Sequence, residues 1–265
     1  MAARQHGSPP EGGGFRARQH GSTTGGGGFR CEPNNRMTAG VAAHHNADML
    51  SDHWPLLGLR LTTPRLELRL PTEDELGRLA DVAAEGVHEP DRMPFLVPWS
   101  DLPPAERARS VVQHHWLRRG TWTPQDWALT LTVFRDGEVL GLQAVTGRDF
   151  AVRREVGTGS WLGMRFHSQG IGTEMRAAVL ELAFTGLGAL EAVSGAMADN
   201  AASLAVSRKL GYREDGVDHH VVRGARVANT RLRIDRAGWE RHRTIPVAID
   251  GLDRCLPLFG LPQAG

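Results

Sequence analysis

At 265 residues, 40% of them hydrophobic and 23% charged, the chain has the composition of an ordinary globular protein with enough apolar material for a sizeable core. Its formal net charge of +1 excludes the strong basic field that nucleic acid or an anionic membrane would require, so neither is expected as a partner. Two cysteines, Cys31 and Cys255, exclude a disulfide framework and a metal knuckle and fit a reducing cytoplasm; no apolar run nears the roughly 20 residues that span a bilayer, and no signal-peptide core opens the chain.

Residues 1–50 read as a disordered, glycine-rich leader. Arg4-Gln5-His6-Gly7-Ser8 recurs as Arg18-Gln19-His20-Gly21-Ser22, and each copy runs into a glycine tract ending in Gly-Phe-Arg. Such a segment cannot bury enough apolar surface to offset its backbone entropy. Globular patterning starts just after Met49, at Trp54-Pro55-Leu56-Leu57, which makes Met49 a candidate translation start. Residues 51–236 read as one folded domain and 237–265 as a C-terminal extension that could pack across the domain or against a second subunit.

Within the domain, Leu66, Leu68 and Leu70 alternate with Arg65, Glu67 and Arg69 and predict a half-buried strand. Thr72 then caps a helix whose acidic first turn, Glu73-Asp74-Glu75, suits the positive end of the dipole and whose apolar face is Leu76, Leu79, Ala80 and Ala83. Five prolines between Glu89 and Pro104 pin an apolar loop with Met93, Phe95, Leu96 and Trp99, ahead of a helix over 105–119. Strands at 127–134 and 138–145 flank Asp136-Gly137, a hairpin signal. A further strand over 155–164 contains Gly157, Gly159 and Gly163, positions that weaken pairing and let a ligand or backbone approach. Helices over 174–185 and from Asn200 to Leu210, a short strand over 190–196 and two strands around 212–234 complete an order of β-α-α-β-β-β-α-β-α-β-β.

Between the fourth strand and the helix after it lies Ser168-Gln169-Gly170-Ile171-Gly172-Thr173. Glycines at a helix start leave backbone N–H groups uncrowded at the positive end of the dipole, where a pyrophosphate can be held. The Lys-Ser/Thr ending of a phosphate loop and the third glycine of a dinucleotide fingerprint are both missing. A plain turn remains an alternative for this segment taken alone. The paired histidines His44-His45, His114-His115 and His219-His220 supply at most one ligand each, because adjacent side chains point apart, and no metal is expected.

Taken together, Gly159-Ser160-Trp161-Leu162-Gly163, Gln169-Gly170-Ile171-Gly172-Thr173, Asn200-Ala201-Ala202-Ser203 and Lys209-Leu210-Gly211-Tyr212 resemble the GNAT superfamily of acyl-CoA-dependent N-acyltransferases. Within it, the branch of the ribosomal-protein N-terminal alanine acetyltransferases is the most similar. The resemblance spans about residues 56–236 and implies an α/β (α+β) GNAT fold, a mixed twisted sheet of about seven strands flanked by helices and split in its middle. It implies acetyl-CoA or another acyl-CoA as co-substrate and an amine as acceptor, with direct attack in a ternary complex. By resemblance, Trp161, Leu162, Gly163 and Met164 pair with the pantetheine arm. Gln169, Gly170, Ile171, Gly172 and Thr173 form the pyrophosphate cradle, Asn200 contacts the arm or helps to position the acceptor, with simple helix capping as its other reading, and Ser203 belongs to the cofactor-binding set. His167 stands where the family has Gln or Arg, with Gln169 and Arg165 as substitutes.

Acyl transfer to an amine needs a neutral nucleophile, a polarised thioester carbonyl and a proton for the departing thiolate. Many family members supply the proton from a tyrosine whose matching position here is Ser207; in the ribosomal-protein branch a serine at the position of Ser203 is proposed, which makes Ser203 the first candidate and Ser207 the second. Glu155, Asp149 and His88 are candidate bases, each also readable as a solvated strand-end or loop residue. Trp116, Trp122, Trp127 and the loop 93–96 could line the acceptor end or belong to the core. Arg148, Arg153 and Arg154 keep an acidic acyl group such as succinyl open. The rival readings are a non-catalytic acyl-CoA sensor on the same fold and a different nucleotide-binding α/β protein.

Overall fold

Helix α1 (Glu73–Glu85) begins in a reciprocal capping box: the Thr72 hydroxyl accepts from the Glu75 amide at 3.3 Å, and the Glu75 carboxylate accepts from the Thr72 amide at 2.9 Å. The same carboxylate takes both ends of the Arg69 guanidinium, at 2.6 and 2.7 Å, and so ties the helix to strand β2 (Glu67–Arg69). Leu76, Leu79, Ala80, Val82 and Ala83 face inward. These contacts belong to a computed structural model that describes residues 49–263; residues 1–48, with most of the leader, Cys31 and the pair His44-His45, lie outside the described residues.

The remaining elements, in chain order, are β1 (Arg60–Thr62), α2 (Pro104–Gly120), β3 (Asp126–Arg135), β4 (Glu138–Arg148), the single turn α3 (Phe150–Arg153), β5 (Glu155–Leu162), α4 (Ile171–Glu181), β6 (Glu191–Met197), α5 (Ala201–Lys209), β7 (Arg213–Val222), β8 (Ala225–Asp235), α6 (Arg236–His242) and β9 (Ala248–Asp250). One nine-stranded sheet runs in the order β7-β8-β6-β5-β4-β3-β2-β1-β9. Every neighbouring pair is antiparallel except β5 and β6. The hairpin between β3 and β4 turns on Asp136 and Gly137, both at positive φ (52° and 80°), as a two-residue turn matched to strand twist requires.

The sheet is mixed, as expected, but has two strands more than the seven the sequence suggests. β1 and β9 are three residues each, too short to show alternation, and β9 comes from the tail. That tail packs onto the domain: β9 pairs with β1, and Phe259 stands edge-on to Trp127 at 4.9 Å. The Trp122 indole donates to the Leu258 carbonyl at 2.8 Å. Cys255 is fully buried there, and burial pushes its thiol up to about 11. Among the described residues no helix is long and apolar enough to cross a membrane.

Candidate active site

Strand β5 is paired with β4 from Gly157 to Leu162, but with β6 only over Glu155–Gly157. β6 meanwhile stays paired with β8 along its whole length, from Glu191 to Met197. Beyond Gly157 and Val193 the two parallel strands therefore part, each held by its other neighbour. Two side chains fix the point of divergence: the Thr158 hydroxyl donates to the Val193 carbonyl at 3.4 Å, and the Ser194 hydroxyl donates to the Thr158 carbonyl at 3.2 Å. Among the described residues the edge of β5 that follows has no strand partner on the β6 side, and a cleft of about 1040 Å³ opens along it. An unpaired strand edge inside a cleft offers amides and carbonyls to an extended ligand.

Trp161 and Leu162 line this cleft. Gly163 and Met164 do not: the Gly163 amide donates to the Leu140 carbonyl at 3.0 Å and the Met164 amide to the Gly86 carbonyl at 3.0 Å. Gly163 is glycine for packing, since a Cβ there would stand 2.7 Å from Val82 of α1.

Gly170, Ile171, Gly172 and Thr173 line the cleft. Gly170 lies at φ 78°, a left-handed conformation that suits glycine, and α4 follows at once. A left-handed residue followed by helical ones turns successive amides to one side, an anion-binding nest. The amides of Thr173 and Glu174 both donate to the Gly170 carbonyl at 3.2 Å, so the Ile171 and Gly172 amides remain without an intrahelical acceptor. Gln169 is turned away: its amide donates to the Arg165 carbonyl at 2.9 Å and accepts from Arg135 at 3.0 Å. Arg165 is engaged by Glu85. His167 does line the cleft, with Nε2 3.1 Å from the Leu162 carbonyl.

Helix α5 closes one side. Asn200 caps it, accepting from the Ser203 amide at 3.1 Å, and both residues line the cleft. Ser207 does not reach it. That side chain is fully buried, accepts from Arg176 Nη1 at 2.8 Å and donates to the Ser203 carbonyl at 3.0 Å. Arg176, a cleft residue only 5% exposed, also approaches the Ser160 hydroxyl at 3.4 Å, and its Nε–H is buried without a partner. Sequence reasoning passed over Arg176; its signal was a charge between Met175 and the apolar positions Ala178, Val179 and Leu182 of a buried helix. Tyr212 is buried behind the point of divergence, its hydroxyl 3.2 Å from Thr158 Oγ1. Burial raises its phenol, and the Arg176 charge opposes that.

Alternation along β5 sends Glu155 and Trp161 to the face opposite Thr158 and Ser160. There Trp161 packs on Trp99 at 5.6 Å and Trp99 on Phe95 at 5.2 Å; Phe95 and Leu96 line the cleft. Trp116, Trp122 and Trp127 lie elsewhere: Trp116 is exposed beside Glu73, and the other two stack in the core beside Phe259. Glu155 is in the cleft, but its two oxygens accept from Arg153 at 2.5 Å and Arg233 at 2.7 Å. Arg233 also holds Glu191 and Asp215, which leaves Glu155 poorly placed to take a proton. Asp149 and His88 do not line the cleft, and His88 bonds to the Glu89 carbonyl and Ser100. Of the three arginines that kept an acidic acyl group open, none lines it: Arg148 faces Asp126, Arg153 holds Glu155, and Arg154 donates to the Leu187 carbonyl.

The family model "Acetyltransferase (GNAT) domain" matches residues 65–213. Among solved structures, RimJ of Mycobacterium smegmatis in complex with a CoA disulfide is similar at 17% identity and a TM-score of 0.54, covering 77% of this chain and 95% of that one. A putative acetyltransferase from T. thermophilus is similar at 18% identity and a TM-score of 0.54, covering 69% and 93%. RimL, an alpha-N-protein acetyltransferase of a ribosomal protein, in complex with coenzyme A, follows at 17% identity and a TM-score of 0.51, covering 65% and 95%.

Proposed function

The chain belongs to the Acetyltransferase (GNAT) domain family, and from that premise we propose that it moves a small acyl group, acetyl or succinyl, from acyl-CoA to the primary amine of a protein N-terminus or a small molecule. The observation that carries this reading is the parting of β5 from β6 in a cleft that also holds, at the head of α4, two amides without an intrahelical acceptor. An extended arm pairs with the open edge of β5 while the Ile171 and Gly172 amides hold the pyrophosphate. Trp161 and Leu162 supply that edge, and Gly170 sets the turn. Thr173 adds only its side chain, because its amide is already used.

The acceptor enters from the face of Trp161, Phe95 and Leu96, and direct attack on the thioester needs no enzyme nucleophile. With the Glu155 carboxylate held by two guanidinium groups, the neutral amine attacks and the ammonium that this forms gives its proton to water. Ser203 faces the cleft and donates a hydrogen bond to the departing sulfur; an alcohol is too weak an acid to hand over the proton outright. The test is a thermal-shift titration with acetyl-CoA, succinyl-CoA, CoA, ATP and NAD, followed by thiol release with N-terminal peptides and small amines. A rise in melting temperature with the CoA series alone, and thiol release that depends on an amine, are expected. Stabilisation by ATP or NAD but not CoA would overturn the reading.

A further inference from the structure

Arg176 carries a charge that no carboxylate among the described residues balances. It lies on α4 with a side chain 5% exposed, and none stands within ion-pair distance of it. Its partners are two neutral hydroxyls, Ser207 at 2.8 Å and Ser160 at 3.4 Å, and the buried Nε–H has none. Burying an isolated cation carries a large desolvation cost, which an opposite charge is normally needed to offset. Arginine does not escape that cost by losing its proton. A site that keeps such a cation at the wall of a ligand cleft is built for a negative charge that arrives with the ligand or forms during the reaction.

Position narrows the choice. α4 advances about 1.5 Å per residue, so Arg176 sits about 7.5 Å along it from Ile171, away from the amides of the cradle. It touches Ser160, which belongs to the part of β5 that is paired with β4 but not with β6, two residues from Thr158 at the point of divergence. Among the described residues the cleft lining contains no tyrosine, cysteine or lysine. Ser207, at the position where many relatives are expected to carry a tyrosine, has spent its hydroxyl on Arg176 and the Ser203 carbonyl. The cleft thus has a fixed cation where a proton donor was sought.

We propose that Arg176 is the counter-charge for the CoA thiolate released in acyl transfer, so that the sulfur leaves as an anion. This rests on the acyltransferase reading. The amine lone pair forms the new C–N bond as the carbonyl π pair moves to oxygen. Collapse restores the carbonyl and breaks the C–S bond, with both electrons leaving on sulfur beside the guanidinium; the ammonium proton goes to water. A neighbouring cation lowers a thiol's pKa, and the same effect makes the thiolate a better leaving group. Arg176 is then a catalytic residue, and Ser207 and Ser160 are positioning residues that aim it.

The test compares CoA with desulfo-CoA, which keeps every phosphate and the whole arm but lacks sulfur, by calorimetry from pH 6 to 9. For the wild-type protein, the Kd of CoA relative to desulfo-CoA should fall as pH rises, by about tenfold for each unit of lowered thiol pKa. Arg176→Gln, checked for folding by circular dichroism, should abolish that pH dependence, and Arg176→Lys should restore part of it. A flat ratio in the wild-type protein, which needs no variant to fold, overturns the proposal. Equal weakening of CoA and desulfo-CoA in Arg176→Gln assigns the charge to phosphate and also overturns it. Loss of a succinyl-CoA over acetyl-CoA preference, with the sulfur ratio unchanged, assigns it to an acyl carboxylate and does the same. No binding of either CoA form would instead count against the acyltransferase reading itself.

Discussion

Ser203 and Ser207 stand one helical turn apart on α5, and depth separates their roles. Four residues are about 6 Å along a helix, enough to move a side chain from the cleft wall into the packing behind it. Ser203 lines the cleft, whereas Ser207 is fully buried and bonded to Arg176 and the Ser203 carbonyl. Replacing Ser203 with Ala should lower kcat about 10- to 100-fold, the worth of one hydrogen bond to a charged group, while CoA affinity stays within a factor of two or three of wild type. Replacing Ser207 with Ala should cost about 1–3 kcal/mol of stability, because Arg176 Nη1 loses its partner in a buried place. Steady-state kinetics and urea unfolding on the two variants separate these effects; a Ser203→Ala enzyme with unchanged kcat would leave the sulfur to Arg176 alone. Both serines were candidates through the family positions they match, but a one-dimensional pattern does not contain the depth of a site.

At the scale of elements, what could be read followed from local rules. The Thr72 cap, the Asp136-Gly137 hairpin and the Asn200 cap were all legible because each depends on residues within a few positions of one another. β1 and β9 were not, since a three-residue strand exists only by pairing with a distant one. Nor was the first turn of α4, which starts at Ile171 and not at Glu174. That turn is held from outside: the Glu174 carboxylate accepts from the Thr63 hydroxyl at 2.7 Å and the Arg65 amide at 3.0 Å, so the β1–β2 hairpin fixes the cradle. The cap of α5 carries a separable prediction. Asn200→Ala should lose about 1 kcal/mol of stability and weaken CoA binding. Asn200→Asp keeps an acceptor for the Ser203 amide and adds a charge suited to the helix dipole, so stability should hold; an added anion in the cleft proposed for CoA should still weaken CoA binding. If Asn200→Asp binds CoA as wild type does, the residue is a cap and nothing more.

For the whole molecule, the sheet and the helices laid on it determine how the fold meets acid. His115, on α2, is fully buried, with Thr130 Oγ1 3.4 Å from its Nδ1 and no partner for Nε2. Burial, helped by the Arg119 and His114 charges, pushes it from 6.5 down to about 3. The folded protein therefore keeps His115 neutral where the unfolded chain binds a proton. Its contribution is fully present above pH 6.5 and is lost as the pH falls through about 3. Glu75 acts lower on the scale: the Arg69 hydrogen bonds hold its carboxyl at about 2 against 4.5, so that its contribution is present above 4.5 and lost as the pH falls to about 2. Stability should consequently be flat near neutrality and begin to fall at about pH 6.5, before most carboxylates titrate, with a slope of about 1.4 kcal/mol per pH unit for one proton. His115→Leu should flatten the stretch between 6.5 and 4.5 and leave the steeper decline below it. Glu75→Gln should do the reverse. Urea unfolding at half-unit pH intervals measures both slopes, and an unchanged upper slope in His115→Leu would place the first acid-sensitive group elsewhere in the sheet or its helices.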